Sequence, residues 1–292
     1  MATTNSKVTV IGLGSMGATL AKTLLAKGLQ VTVWNRDSKK AAPLAEKGAI
    51  LAPSAAAAIE ASPVTIVCVS NYKANAAILV NEAAGAALKG RTLVQLSTGT
   101  PKEARDLETW VLAQGADYID GDILAWPSQI GEPPTTILAA GKKETYEKVK
   151  EMLYILGGNI TYMGEAIGAP AALFSAVLSY MAGQWIGLAH GALILEAEGL
   201  RVDEYGALLE NISPILGGEA KHLGAVIQQS KYENPESSVK TSGEDIIRLV
   251  QLSQEAGISE ELPRFAADIF KRTIDAGYGA EEHAAIIKVM RK

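Results

Sequence analysis

Three glycines, Gly12, Gly14 and Gly17, follow the β-branched run KVTVI and precede ATLAKTLLAKG, a stretch with helical spacing. This G-x-G-x-x-G order between a strand and a helix is the pattern that cradles a pyrophosphate. Gly12 allows the tight turn, Gly14 lets backbone approach the anion, and Gly17 lets the helix pack on the sheet. The helix N-terminus then offers unpaired N–H groups and a positive dipole end. The next apolar run, QVTVW (30–34), ends in Asn35-Arg36. An NAD site usually has Asp or Glu there to accept from the ribose hydroxyls. Asn35 is neutral, whereas Arg36 can stack on adenine and pair with a 2′-phosphate, and Lys40 can reach the same place. These residues predict a site for NADPH. Asp37 opposes it unless its carboxylate turns outward or caps the following helix.

The elements that position these residues follow from periodicity. Apolar runs at 7–12, 30–34, 64–70, 91–97, 116–120, 135–141 and 159–164 read as strands. They alternate with helical patterns after Gly14, at 38–47, around 54–61, at 101–114 and at 146–156. The alternation predicts an α/β fold with a mostly parallel sheet and right-handed crossovers. From 200 onward the patterns are all helical: 203–230, 240–256 and 261–276. Between the halves, residues 166–195 contain no Asp, Glu, Lys or Arg. Ser175, Ser179, Gln184, His190 and glycines interrupt that run and no basic flank follows, so a membrane span is not expected. It reads as a helix about 40 Å long, apolar all round because protein covers it all round, with a second subunit sharing the task. The division expected is 1–164 and 165–292.

With 48% hydrophobic and 20% charged residues, the 292-residue chain can bury two ordinary cores. Net charge is −5 with both signs interspersed, and no basic stripe points to nucleic acid. A single cysteine, Cys68, lies in an apolar strand and reads as a core residue. It forms no internal disulfide, which fits a cytoplasmic protein without a signal peptide. His190, His222 and His283 lack metal-ligand spacing, so no metal is expected.

The runs VIGLGSMG (10–17), VWNR (33–36) with Lys40, VCVSN (67–71), LSTGTP (96–101) and YIDGDILAWP (118–127), together with the helix of Gly168–His190, resemble the imine reductase (reductive aminase) family. That family is an offshoot of the β-hydroxyacid dehydrogenases, and the similarity runs nearly end to end. The resemblance implies an N-terminal Rossmann domain, a long inter-domain helix and a C-terminal all-α bundle exchanged in a homodimer. It implies NADPH-dependent reduction of cyclic imines or iminium ions to amines, or of a carbonyl plus an amine. It also sets Leu13, Ser15, Met16, Val69, Ser70 and Thr98 beside the cofactor. A substrate pocket of Trp126, Leu178, Met181, Trp185 and Ile215 is implied as well.

The parent dehydrogenases carry a catalytic Lys and an Asn on the long helix. Their positions hold Phe174 and Leu178 here, so no residue remains to move an alcohol proton or hold charge on oxygen. Imine reductases usually carry Asp or Tyr where Phe174 stands, as the proposed proton donor or iminium anchor. The face shared by 174, 178, 181 and 182 is apolar throughout. Tyr180 would face the site only if the pocket wraps the helix. Asp122, where the family often has a second Gly, and Thr98 are the other polar candidates by resemblance. Asp122 otherwise reads as a loop or capping carboxylate, and Thr98 as a turn hydroxyl. A preformed iminium needs no donor, only placement, and Phe174, Trp126 and Trp185 could offer aromatic faces to its charge. Two other readings stay open: a catalytically impaired NADPH-binding homologue, and a reductase of an activated C=C or carbonyl.

Overall fold

The structure, a computed structural model, describes residues 7–291. Eight strands form one sheet: β1 (Lys7–Ile11), β2 (Gln30–Trp34), β3 (Ile50–Leu51), β4 (Val64–Val67), β5 (Thr92–Gln95), β6 (Asp117–Leu124), β7 (Thr136–Gly141) and β8 (Asn159–Tyr162), in the order β3-β2-β1-β4-β5-β6-β7-β8. All neighbours are parallel except β6 and β7. The order reverses between β1 and β4, which is where a doubly wound sheet opens a crevice at its carboxyl edge. The helices of this half are α1 (Ser15–Ala26), α2 (Ala42–Ala45), α3 (Ala55–Glu60), α4 (Tyr72–Leu79), α5 (Glu82–Leu88), α6 (Pro101–Ala113) and α7 (Lys143–Leu156). Side chains alternate across each strand, so the sheet feeds two cores. Val8, Val10, Val31, Val33, Ile66, Val94, Ile119 and Ile137 pack against α1 and α7. Ile11, Val67, Leu93 and Tyr118 pack against α3 to α6.

Local chemistry sets the boundaries. Ser54, Asn71 and Asn81 each accept a bond from a first-turn N–H of α3, α4 and α5. Thr100 and Glu103 close a capping box around Pro101 of α6. The expected helix over 38–47 does not form as one piece. Pro43 lacks an N–H and its ring blocks the preceding turn, so the segment splits into a 3-10 turn, Ser38–Lys40, and the single turn α2. Helices α4 and α5 and strand β3, absent from the sequence expectation, are short pieces of at most eight residues whose apolar spacing is too brief to register.

The second half is α8 (Ala169–Ala197), α9 (Val202–Gln229), α10 (Val239–Ala256), α11 (Glu261–Thr273) and α12 (Ile287–Met290), with a π-helical turn at Ile274–Tyr278. Two compact units result, Met1–Leu178 and Ser179–Lys292. The boundary between these compact units falls inside α8. The reason is that the start of α8 is bound to the sheet: Asp120 on β6 accepts from the Gly168 N–H at 3.2 Å. Within the second unit His190 is buried, and its Nε2 lies 3.2 Å from Ser253 Oγ and 3.1 Å from the Ser259 carbonyl, which fixes α8 to α10 and the following loop. A small core forms around Val226, Tyr232, Val239, Ala284 and Ala285.

The chain does not cover this helix all round. Tyr180, Trp185, Ile186 and Leu188 are exposed, and only 6% of its most apolar 18-residue window is buried.

Candidate active site

The glycine loop sits at the switch point. Gly12 has φ +95°, and a Cβ there would lie 2.2 Å from the Cys68 carbonyl oxygen. A Cβ on Gly17 would lie 2.0 Å from the Gly12 carbonyl oxygen. Both approaches are open only to glycine. Gly14 differs, because nothing lies within 4 Å of where its Cβ would be. That open space is what an anion approaching the backbone requires. Helix α1 has no side-chain cap and no acidic residue in its first turn, so its leading N–H groups remain available to an anion.

A cavity of about 390 Å³ opens over this loop. Gly12, Leu13, Gly14, Ser15, Met16 and Gly17 line it, with Asn35, Arg36 and Lys40 from the end of β2 and Val69 and Ser70 from the end of β4. The cofactor residues expected from sequence thus come together, with the exception of Thr98. Thr98 is exposed and follows β5, outside the lining of this cavity.

Asn35 Oδ1 accepts from the Leu13 N–H at 2.9 Å, and its Nδ2 donates to the Asp37 carbonyl. It therefore ties the glycine loop to the β2 end instead of offering a charge. Asp37 turns its carboxylate onto the Lys39 N–H at 3.1 Å, capping the 3-10 turn. Arg36 and Lys40 are exposed, and among the described residues neither is in an ion pair. A 2′-phosphate would thus meet two cations and a carboxylate already engaged elsewhere, and the donor set fits NADPH.

Further along the carboxyl edge lies a buried polar group that sequence reasoning only partly found. Asp120 and Asp122 stand two residues apart on β6, hence on one face of the sheet, the face of Tyr118 and α4. Tyr72 Oη donates to Asp120 Oδ1 at 2.9 Å, and the Gly168 N–H donates to Oδ2. Ser97 Oγ accepts from the Val69 N–H at 2.8 Å, so β5 steadies the loop that lines the cofactor cavity. Gly99 lets the Tyr72 ring press on the loop after β5, since a Cβ there would lie 2.1 Å from the ring. Tyr72, Ser97 and Asp120 were not singled out from sequence. The D-x-D spacing within a strand was the available signal.

Asp122 corrects the loop reading: it lies inside β6, 3% exposed. Burial first, then the neighbouring Asp120, pushes its carboxyl up to about 8. Burial also raises Asp120, opposed by the Tyr72 and Gly168 bonds, which favour its charged form. Burial raises the Cys68 thiol to about 12, which leaves it inert.

Phe174 is half-buried on α8 within the first unit, where Leu178 is exposed. Met181 is half-buried, and Tyr180, Trp185 and Ile215 are exposed in the second unit, Ile215 at 71%. Trp126, after β6, is 61% exposed. The expected aromatic wall is therefore divided between two units, and several of its members stand open.

Residues 7–164 match the NAD binding domain of 6-phosphogluconate dehydrogenase, and residues 166–292 match the NADPH-dependent reductive aminase-like C-terminal domain. An NADPH-dependent reductive aminase of Aspergillus oryzae is 28% identical over 97% of this chain and 96% of its own. An imine reductase from Myxococcus stipitatus, solved with NADP+, superposes with a TM-score of 0.92 at 31% identity, over 98% of this chain and 100% of that one. A reductive aminase from Aspergillus terreus, solved with NADPH4, cyclohexanone and allyl amine, does so at 0.90 and 33%, over 99% of this chain and 100% of that one. With both halves matched in register and the glycine loop, Asn35-Arg36 and the long helix in place, the chain belongs to the imine reductase and reductive aminase family.

Proposed function

We propose that this protein reduces imines and iminium ions to amines with NADPH, including imines formed from a carbonyl compound and an amine. The observation that carries the reading is the pairing of two features: an NADPH-type cavity with Arg36 and Lys40 unopposed, and a second half of reductive-aminase-like type. Relatives solved with NADP+, with NADPH4, cyclohexanone and allyl amine, or with NADPH and ethyl levulinate support it. When bound, NADPH would supply the hydride. The chain's part is to cradle the pyrophosphate on α1 and the Gly12–Gly17 loop, to read the 2′-phosphate with Arg36 and Lys40, and to hold the electrophile. Phe174 and Leu178 stand where hydroxyacid dehydrogenases carry the Lys and Asn that move the alcohol proton, which favours imine over hydroxyacid chemistry.

The working form would be a homodimer in the cytoplasm. The apolar, uncovered length of α8, together with exposed Leu208, Ile215 and Leu216 on α9, supports a second copy as its cover. The buried thiol of Cys68 fits a reducing compartment.

The test is NADPH consumption with amine formation across pyrrolines, dihydroisoquinolines and ketone–amine pairs near neutral pH. Turnover of at least one cyclic imine is expected. Intact NADPH binding with no turnover anywhere on the panel would instead mark a binding homologue that has lost catalysis.

A further inference from the structure

We propose that Asp122 is the proton donor of the reduction, filling the role that Phe174 on α8 cannot. The assignment rests on the imine reading above and deepens it. Three geometric facts lead to it. First, Asp122 stands near the carboxyl end of β6, two strands beyond β4 in the sheet order. Arg36 and Lys40 mark the adenine side at the end of β2, and the cavity runs past the Gly12 loop to Val69 and Ser70 at β4. The reactive end of a dinucleotide laid along this edge points on toward β5 and β6. Second, Asp122 and Asp120 share one face of one strand, roughly 6.6 Å apart along it. In a buried setting, each charge there makes the other carboxyl harder to ionise. Third, the pair is asymmetric. Asp120 accepts two bonds, from Tyr72 and from the Gly168 N–H, which favour its anion. No ion pair reaches Asp122 among the described residues. The proton therefore resides on Asp122.

The groups that act on the pair electrostatically are acidic or phenolic: Tyr118 on β6, Tyr72 on α4 and Glu108 on α6. The cations nearby serve other partners. Arg105 lies against the Pro101–Gly168 corner, and Lys142 offsets Glu108. This setting holds the Asp122 carboxyl at about 8, un-ionised at neutral pH and close enough to it to release a proton. In the reaction, hydride adds to the imine carbon and the C=N π pair moves to nitrogen. There it takes the Asp122 proton, directly or through one water. An amine, the oxidised cofactor and an Asp122 carboxylate result, and the carboxylate regains its proton from solvent.

The decisive experiment compares an indolenine, unprotonated at neutral pH, with its N-methylated iminium salt, which needs no proton. Asp122→Asn should lower kcat on the indolenine by about 100-fold or more and leave the iminium salt within about 3-fold. The wild-type rate on the indolenine should fall on the alkaline side with a midpoint near 8, and the iminium salt should lack that limb. Equal effects of the substitution on both substrates, or on neither, would overturn the assignment. A wild type silent on both substrates would overturn the imine reading itself and this assignment with it.

A readout without cofactor follows from linkage. A carboxyl raised from its ordinary 3.8 to about 8 holds, between those values, a proton that the unfolded chain has shed. Wild-type stability must then fall as pH rises through that window, whereas Asp122→Asn cannot lose it. The urea midpoint of wild type should drop relative to the variant from pH 4 to pH 8. A constant difference would mean that Asp122 is ionised throughout and would exclude it as the donor.

Discussion

Arg36 is exposed and unpaired among the described residues, with Asp37 beside it committed to the Lys39 N–H. Its guanidinium is thus free for a phosphate at no cost of breaking an existing pair. Arg36→Ala should weaken NADPH by roughly 10- to 100-fold, the worth of a charge-assisted bond of about 1.5–3 kcal/mol, and leave NADH within about 3-fold. Fluorescence titration of both cofactors checks this, and equal losses would mean that Arg36 does not read the 2′-phosphate. The residue could be named from sequence because a strand end followed by a neutral amide and an arginine is a local pattern. What sequence left open was Asp37, a carboxylate in the wrong place by charge alone. Its Asx-type bond to the following turn resolves the conflict, and such a bond depends on backbone direction, which the residue type does not give.

Helix α8 begins at a corner made by three other elements. Gly168, at φ +91°, has no room for a Cβ against Pro101 and Arg105, and its N–H reaches Asp120 on β6, which in turn holds Tyr72 of α4. Where α8 starts decides where Phe174 stands, so Asp120 positions the helix through the Gly168 N–H. Asp120→Ala should leave a buried hydroxyl and a buried N–H unsatisfied and cost roughly 2–4 kcal/mol in urea unfolding. A loss below about 1 kcal/mol would show that the corner is held by packing alone. α8 is legible as a helix from sequence, because the thirty residues 166–195, without one Asp, Glu, Lys or Arg, admit little else. The same view missed Tyr72 and Asp120, which are 48 residues apart and meet only because α4 packs over β6.

At the scale of the whole molecule, α8 and α9 present more apolar surface than one chain covers: Tyr180, Trp185, Ile186, Leu208 and Ile215 all stand exposed. Patches of this kind mark interfaces. The protein should sediment at twice the mass of the chain, and Ile186→Asp with Leu208→Asp should shift it to the monomer, because burying unpaired carboxylates across an interface is costly. A monomer for the unaltered protein at micromolar concentration would refute the homodimer. By itself the sequence determined the α/β half and the helical half, the glycine loop, the cations that line the cavity beside it and the apolar character of the joint. All of these are set by short-range periodicity, by glycine's lack of a Cβ and by charges adjacent in the chain. Only the tertiary structure decided that Asp122 is buried in a strand beside Asp120. It also decided that Asp120 anchors α8 and that Tyr180, Trp185 and Ile186 on α8 stand exposed. Burial, and the proton affinity that follows from it, is a property of what packs around a residue, and for these residues the packing partners are supplied by distant segments of the chain.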